Sequence, residues 1–236
     1  MRPVTKKRLG EDIELLDGTH VVVQNPKSDH RKAHPLLVAN LGYYCSYCED
    51  AQKNYANLQV EHIQPKDVYP HLELEWSNFL LGCANCNGRA NKSAKDVKLS
   101  EMYLPHIHNT YLCLEYREAG VIVPNTNCHE VSVNKAEKLL STLGLDKEDV
   151  RCEMRRHAWA YAKELLNDYQ NGTIILDKLI KQIKIYGCWS IWFTVFKEHR
   201  EVRQALVEQF PGTSRNCFDK DFMPIPRNPG CKSDPI

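Results

Sequence analysis

The sequence predicts an α+β fold, with a small unit of short strands in the first half and a mostly α-helical second half. Two C-x2-C pairs, Cys45/Cys48 and Cys83/Cys86, bracket short apolar runs of strand length. Two more strand-like runs flank Glu118-Ala119-Gly120, which is typical of a hairpin. After residue 131 apolar residues recur at helical spacing, as in "EMRRHAWAYAKELLNDY".

Composition excludes several classes of protein. The chain has 236 residues, of which 42% are hydrophobic and 26% charged, as in ordinary globular proteins. Its formal net charge of +1 gives no overall basic field, so any nucleic-acid site must be local. No apolar run reaches the roughly 18–20 residues of a membrane span, and the start lacks the apolar segment of a signal peptide. Ten cysteines without a secretion signal indicate a reducing, cytoplasmic location and favour metal binding over disulfides.

Changes in composition and hydrophobic pattern divide the chain into four predicted parts. Residues 1–42 form an N-terminal segment that ends in a short helix, "RKAHPLLVANL", before Gly42. Residues 43–100 carry the chemistry, and residues 101–130 form a short β-hairpin connector. Residues 131–236 form a helical region, predicted to bind a partner, whose first helix has Ser132 as a candidate N-cap and ends at Gly144. The last apolar segments are "TIILDKLIKQIKIYG" and the aromatic-rich "CWSIWFTVFKEHREVRQALVEQF".

The two cysteine pairs predict a structural zinc site. A C-x2-C turn supplies two thiolates at the right separation, and two such turns complete a tetrahedral shell. Four cysteine ligands, Cys45, Cys48, Cys83 and Cys86, leave no position for a substrate, so the ion would hold distant segments together. The alternative, four buried reduced thiols, does not account for two matched pairs. The other six cysteines lack such pairing, and we expect them to pack as inert thiols.

Polar residues of a second site lie between and beside these pairs. Glu61 and His62 end a strand-like run in "VEHIQP", Asn78 lies in "WSNFLL", and Asn87 follows the last cysteine. Each has a structural alternative: a surface ion pair for Glu61, a strand-end histidine, a turn asparagine and a helix cap for Asn87. A regular strand directs adjacent side chains to opposite faces, so we expect a backbone turn at Glu61-His62 if both serve one site.

The order of these motifs resembles a known nuclease family. C-x2-C, then E-H-I-x-P, then the Asn of W-S-N-F-L-L, then C-x2-C-N is similar to zinc-containing HNH endonucleases of the ββα-metal fold, over roughly residues 43–92. The "YCSYCE" and "LELEWSNFLLGCANCN" segments, with the "MRPV" start and the helical second half, resemble a narrower group. That group is the HNH nuclease subunit of Septu-type anti-phage systems, including those attached to retrons.

This resemblance implies a role for each residue. His62 would be the general base, and Glu61 and Asn87 would bind one catalytic Mg²⁺ or Mn²⁺, which prefers such oxygen ligands. Asn78 would position the loop that bears the base through backbone hydrogen bonds.

A local basic stretch beside this site is a candidate for contact with nucleic acid. Arg89, Lys92, Lys95 and Lys98 would face phosphates, although a solvated helix face is an equal alternative. Many relatives have a lysine three residues after the final motif asparagine, where this chain has Ala90. Whether Lys92 substitutes for that lysine is left open by the sequence.

Three functions compete at this stage. The first is a metal-dependent endonuclease that cleaves DNA, the second cleaves RNA such as tRNA, and the third is a zinc-organised module that binds nucleic acid or protein without cleavage. The Septu resemblance implies an ABC-type ATPase partner. The chain itself has no G-x4-G-K-[ST] motif, so any dependence on nucleotide must come from another subunit.

Overall fold

A computed structural model describes residues 1–87, 96–227 and 236. The strands are β1 (Asp12–Glu14), β2 (His20–Val22), β3 (Leu58–His62), β4 (Phe79–Cys83), β5 (Leu114–Tyr116) and β6 (Ile122–Pro124). The helices are α1 (His34–Leu41), α2 (Ala84–Asn87), α3 (Glu130–Leu143), α4 (Val150–Gln170), α5 (Leu176–Tyr186), α6 (Trp189–Val195) and α7 (Arg200–Glu208). The predicted α+β fold, with its helical second half, is confirmed. No helix in the described ranges combines the length and apolarity needed to cross a membrane.

The described strands pair as three antiparallel hairpins, β1–β2, β3–β4 and β5–β6. The central hairpin has a regular register in which Leu58 faces Cys83 and His62 faces Phe79. Every residue of β4 is buried, whereas β3 pairs only with β4 among the described residues. One edge of β3 is therefore left without a strand partner in the described part of the chain. The hairpin predicted around Glu118-Ala119-Gly120 corresponds to β5–β6.

Residues 63–78 connect the two central strands as a long loop. Short 3-10 turns at Pro70–Leu72 and Trp76–Asn78 shape this loop. The Nζ of Lys6 donates to the carbonyl oxygens of Trp76 at 2.7 Å and Phe79 at 2.6 Å, and it lies over the Trp76 ring. A single partly buried ammonium group thus holds the turn that leads into β4.

Capping groups mark the start of α4 and the end of α3. Asp149 caps α4 by accepting from the Arg151 backbone, and α3 ends at Gly144 in a left-handed conformation, as predicted. The prediction of Ser132 as the N-cap of α3 is wrong. The cap is His129, and Ser132 is buried inside the helix, where its hydroxyl accepts from the Tyr103 hydroxyl at 2.9 Å. This contact with a distant residue therefore explains why a serine lies inside the helix.

The aromatic segment near residue 190 belongs to the core. It forms two helices, α6 and α7, rather than one continuous element. Its large rings are at most 1% exposed and pack on one another in two stacked pairs, Trp189 with Phe193 and Trp192 with Phe196. This stripe is thus packing surface rather than an exposed docking face.

A buried carboxylate joins the cysteine-bearing unit to the helical half. Glu49 follows Cys48 with a φ of 65°, and its side chain accepts from the Arg2 backbone and from the Ser190 backbone at 2.8 Å and hydroxyl at 2.7 Å. Its carbonyl accepts from the Cys188 backbone at 2.9 Å. A Cβ at Gly187 would lie 2.6 Å from that carbonyl oxygen, so the close approach requires glycine there.

Replacing Glu49 by Gln should destabilise the protein by about 3 kcal/mol, because an amide cannot accept from all these buried donors. Urea unfolding followed by circular dichroism measures this. The control Glu198→Gln alters a side chain that is 83% exposed and should change stability by less than about 0.5 kcal/mol. Equal effects of the two substitutions would contradict this role of Glu49.

Candidate active site and zinc centre

Four cysteines from two distant segments meet in a buried cluster. Cys45 and Cys48 lie in the turn after α1, Cys83 ends β4, and Cys86 lies in α2. Their sulfur atoms all lie within 4.8 Å of one another, and those of Cys48 and Cys83 are 3.6 Å apart. A tetrahedral zinc with bonds of about 2.3 Å requires edges of about 3.8 Å, so the cluster fits a structural zinc ion.

Thiol chemistry agrees with this geometry. Hydrogen bonds from Cys45, Cys48 and Cys86 lower the pKa of Cys83, whereas burial raises the pKa of Cys45. Arg151 reaches the cluster from α4, with its Nη1 3.5 Å from the Cys86 sulfur, and also donates to the Leu143 carbonyl at 2.9 Å. This guanidinium offsets thiolate charge and connects the cluster to the helical half.

The purified chain should contain one zinc ion, and Cys83→Ser should lose it together with the cooperative unfolding transition, because the site links two segments. Elemental analysis and thermal melts check this. Cys128→Ser is the matched control, because that cysteine lies outside the cluster and should leave the zinc content unchanged. Stoichiometric zinc in Cys83→Ser would contradict the assignment.

One face of the central hairpin brings Glu61 and Asn87 together. Gly82 lies between them: a Cβ built on Gly82 would be 3.2 Å from the Cβ atoms of both Glu61 and Asn87. The absence of a side chain at Gly82 leaves the space between a buried carboxylate and an amide. These hard oxygen donors are of the kind that Mg²⁺ and Mn²⁺ prefer, so the pair fits such a cation.

Neighbouring side chains orient both groups. The Tyr47 hydroxyl donates to the Glu61 carboxylate at 3.3 Å, and the Asn87 amide nitrogen donates to the Gln59 side-chain oxygen at 2.9 Å. With its nitrogen bound to Gln59, the Asn87 amide presents its oxygen as the remaining ligand atom. Glu61 is 1% exposed, so the alternative of a surface ion pair does not hold.

His62 lies on the opposite face of β3. Its Nε2 is 3.0 Å from the carbonyl oxygen of Glu73, and its ring packs edge-on against Phe79 at 5.2 Å and His30 at 4.7 Å between centroids. A carbonyl only accepts, so Nε2 carries the proton and Nδ1 is the basic nitrogen of the neutral ring. The expected backbone turn at Glu61-His62 is wrong, because β3 is a regular strand through His62.

Asn78 fastens the loop that follows His62. Its side-chain oxygen accepts from the Gln64 backbone at 2.8 Å, and its nitrogen donates to the Gln64 carbonyl at 2.9 Å and the Leu72 carbonyl at 3.3 Å. The same loop supplies the Glu73 carbonyl that binds His62. Asn78 thus has the backbone contacts that a positioning role requires.

Comparison with known proteins agrees with this site. Residues 45–93 match the HNH endonuclease family, a span that contains all four cysteines and Glu61, His62, Asn78 and Asn87. These residues form an HNH domain. The chain is also similar to the Septu protein PtuB of Bacillus thuringiensis, with 31% identity over 106 residues. That similarity covers 41% of this chain and 38% of the relative, so the chain spans well under half of the length of PtuB.

The basic residues predicted to contact nucleic acid lie mostly outside the described residues. Arg89, Lys92 and Lys95, together with Ala90, lie outside the described residues. Lys98 is described, and its Nζ lies 3.5 Å from the Glu101 carboxylate on the surface. Its role in nucleic-acid binding stays a prediction.

Four residues around the HNH motif were not predicted from the sequence. They are Tyr47, Gln59 and Glu73, and His30 from the N-terminal segment. Gln59 could have been found, because it lies two positions before Glu61 in a strand and so shares its face. His30 is distant in sequence, and only the fold brings it to His62.

Local electrostatics favour the neutral form of His62. Burial lowers its pKa, the hydrogen bond to the Glu73 carbonyl opposes this, and the neighbouring His30 and Lys66 lower it further. The basic form is therefore populated at neutral pH, and a reaction that needs this base should slow only as the pH falls through the lowered pKa.

In the zinc-loaded chain without a catalytic cation, the His62 ring should titrate below about pH 6.5 in an NMR experiment on labelled histidine. Lys66→Gln should raise this midpoint, because it removes a cation near the ring. Glu73→Gln is the matched opposite change, and it should lower the midpoint by removing an anion. A midpoint at or above the ordinary value, or shifts of the reverse sign, would contradict this description.

Proposed function

We propose that this protein is a metal-dependent HNH endonuclease that hydrolyses phosphodiester bonds, most readily in DNA, as the effector of an anti-phage defence complex. The HNH domain supports nuclease chemistry, and similarity to a Septu PtuB protein supports a role in defence. DNA as the substrate and Mg²⁺ or Mn²⁺ as the cation are parts of the proposal, inferred from the oxygen-rich site and its motif.

The single observation that carries this proposal is the division of the site between the two faces of β3. Glu61 and Asn87 converge on one face, and His62 lies on the other at the end of the strand. Hydrolysis by in-line displacement needs the attacking water and the leaving oxygen on opposite sides of phosphorus. A phosphate at the edge of β3 would meet His62 on one side and the carboxylate-amide pair on the other.

The side chains then divide the work. His62 accepts a proton from water through Nδ1, while the Glu73 carbonyl holds the Nε2 proton and stabilises the imidazolium that forms. Glu61 and Asn87 would hold a divalent cation, which polarises the phosphoryl oxygen and neutralises charge on the leaving oxygen when bound. Tyr47 and Gln59 orient these ligands.

We further propose an ABC-type ATPase as the partner that licenses cleavage, with residues 131–236 as the region that binds it. The aromatic stripe of this region is buried, so the partner would contact other surfaces of the helices. A reducing compartment such as the cytoplasm would keep the cysteine cluster able to bind zinc.

The zinc-loaded chain, alone and with the co-purified product of its neighbouring gene, should cleave labelled DNA when Mg²⁺ or Mn²⁺ is added, and EDTA should stop it. His62→Ala should reduce the rate at least about a hundredfold, because a general base typically contributes that much. Plasmid, single-stranded DNA and tRNA, assayed side by side with and without ATP, identify the substrate.

His157→Ala is the matched control, because this exposed histidine pairs with Glu153 on α4 and should leave the rate unchanged. Cleavage of tRNA alone would move the proposal to an RNA nuclease. A folded, zinc-loaded His62→Ala protein with full activity would contradict the role of His62 as the general base. Binding without cleavage of any substrate, even with the partner present, would favour a non-catalytic module.

A further inference from the structure

A groove runs beside the open edge of β3. It has a volume of about 580 Å³, which is within the range of ligand clefts. One wall comes from the N-terminal segment, with His30, Arg31 and His34, and the other includes Gln59 and Asn87. No carboxylate is among the described residues that line it, and the nearby Asp29 is paired with Arg31 at 2.9 Å. The described lining therefore presents no carboxylate that would repel an anion.

The groove connects the two halves of the divided site. Asn87, from the face of the carboxylate-amide pair, lines it directly, and His30 on the opposite wall lies 4.7 Å from the His62 ring. A phosphodiester backbone lying in this groove would reach both faces of β3 at once. Substrates that approached either flat face would meet only half of the chemical groups.

His30 is suited to contact such a backbone. Its side chain is 23% exposed, and its Nδ1 lies 3.9 Å from the Asp29 carboxylate, beyond hydrogen-bond distance. Within the described part of the chain, no hydrogen bond involves this ring. Asp29 instead caps the 3-10 turn His30–Ala33 and accepts from the Arg31 side chain at 3.0 Å. A half-buried imidazole that lacks such a bond gains one from a phosphate oxygen.

We propose that His30 is a substrate-binding residue that contacts a backbone phosphate of the nucleic acid strand in the groove along β3. This inference rests on the nuclease function proposed above, because it takes the groove as the path of the substrate. The HNH motif does not include His30, which belongs to the N-terminal segment outside the matched residues. The alternative role for His30 is packing, since its ring supports His62 edge-on.

Two substitutions separate phosphate contact from packing. His30→Phe keeps a flat ring against His62 and removes the polar edge, whereas His30→Lys loses the ring and keeps a cation for phosphate. We measure binding of a fluorescein-labelled DNA oligonucleotide by anisotropy, in full-length protein that carries His62→Ala to prevent cleavage. Melting temperature and zinc content verify the fold, and His157→Phe is the control for a histidine outside the site.

Binding by His30→Phe should be roughly tenfold weaker than in the parent protein, and binding by His30→Lys should stay within about threefold. The dependence of log Kd on log salt should be steeper by about one unit for His30→Lys than for His30→Phe, because one phosphate contact is retained. In the cleavage assay of His62-intact protein, His30→Phe should raise KM more than it lowers kcat.

Parent-like affinity in His30→Phe, or equal salt slopes for the two variants, would overturn the inference. So would failure of the parent protein to bind any oligonucleotide of DNA or RNA, with or without its partner. Binding that depends on His30 in a protein that never cleaves would refute the nuclease function and leave the groove assignment standing. Cleavage unaffected by His30→Phe would refute the groove assignment and leave the nuclease function standing.

Discussion

The four-cysteine cluster is the constraint on which the rest of the site depends. Cys83 and Cys86 bracket the end of β4 and the start of α2, so they fix Gly82 on one side and Asn87 on the other. Without this link, α2, a helix of only four residues, would not hold its place by helix formation alone. The opposite pair, Cys45 and Cys48, adjoins Glu49, whose carboxylate reaches α6. The cysteine cluster therefore fixes both the positions of the candidate metal ligands and the packing of this unit against the helical half.

Strand alternation directs Glu61 and His62 to opposite faces of β3, and this arrangement fits the chemistry proposed for them. In-line hydrolysis requires proton removal on one side of phosphorus and charge neutralisation on the other. A regular strand supplies these two directions from adjacent residues. The register of β3 against β4 fixes both, because Gly82 opens space on one face and Phe79 supports the imidazole on the other. A bend at this point would bring both groups to the same side.

Local sequence signals predicted the helical second half, the β5–β6 hairpin and the cysteine cluster, whereas features that depend on distant contacts were not predicted. The cysteine spacing, the β5–β6 hairpin and the stop of α3 at Gly144 depend on neighbours in sequence and were predictable. Ser132 has the residue type of an N-cap, but its hydroxyl accepts from Tyr103, and the local sequence does not indicate a contact between such distant residues. The position of His30 beside His62 depends on how the N-terminal segment packs on the central hairpin, which no spacing reveals. The local sequence therefore indicates which residue types form the site, but it does not indicate which distant residues contact them.

The loop between β3 and β4 links Asn78 to His62, the proposed base, through backbone contacts. Asn78 closes the loop through Gln64 and Leu72, and Lys6 holds the same turn through the carbonyls on either side of it. This closure places the Glu73 carbonyl against Nε2 of His62. That bond sets the tautomer, and the tautomer decides whether Nδ1 can accept a proton. The positioning role proposed for Asn78 therefore depends on backbone geometry, and Asn78→Asp would disturb that geometry because a carboxylate lacks the donor to the Gln64 carbonyl.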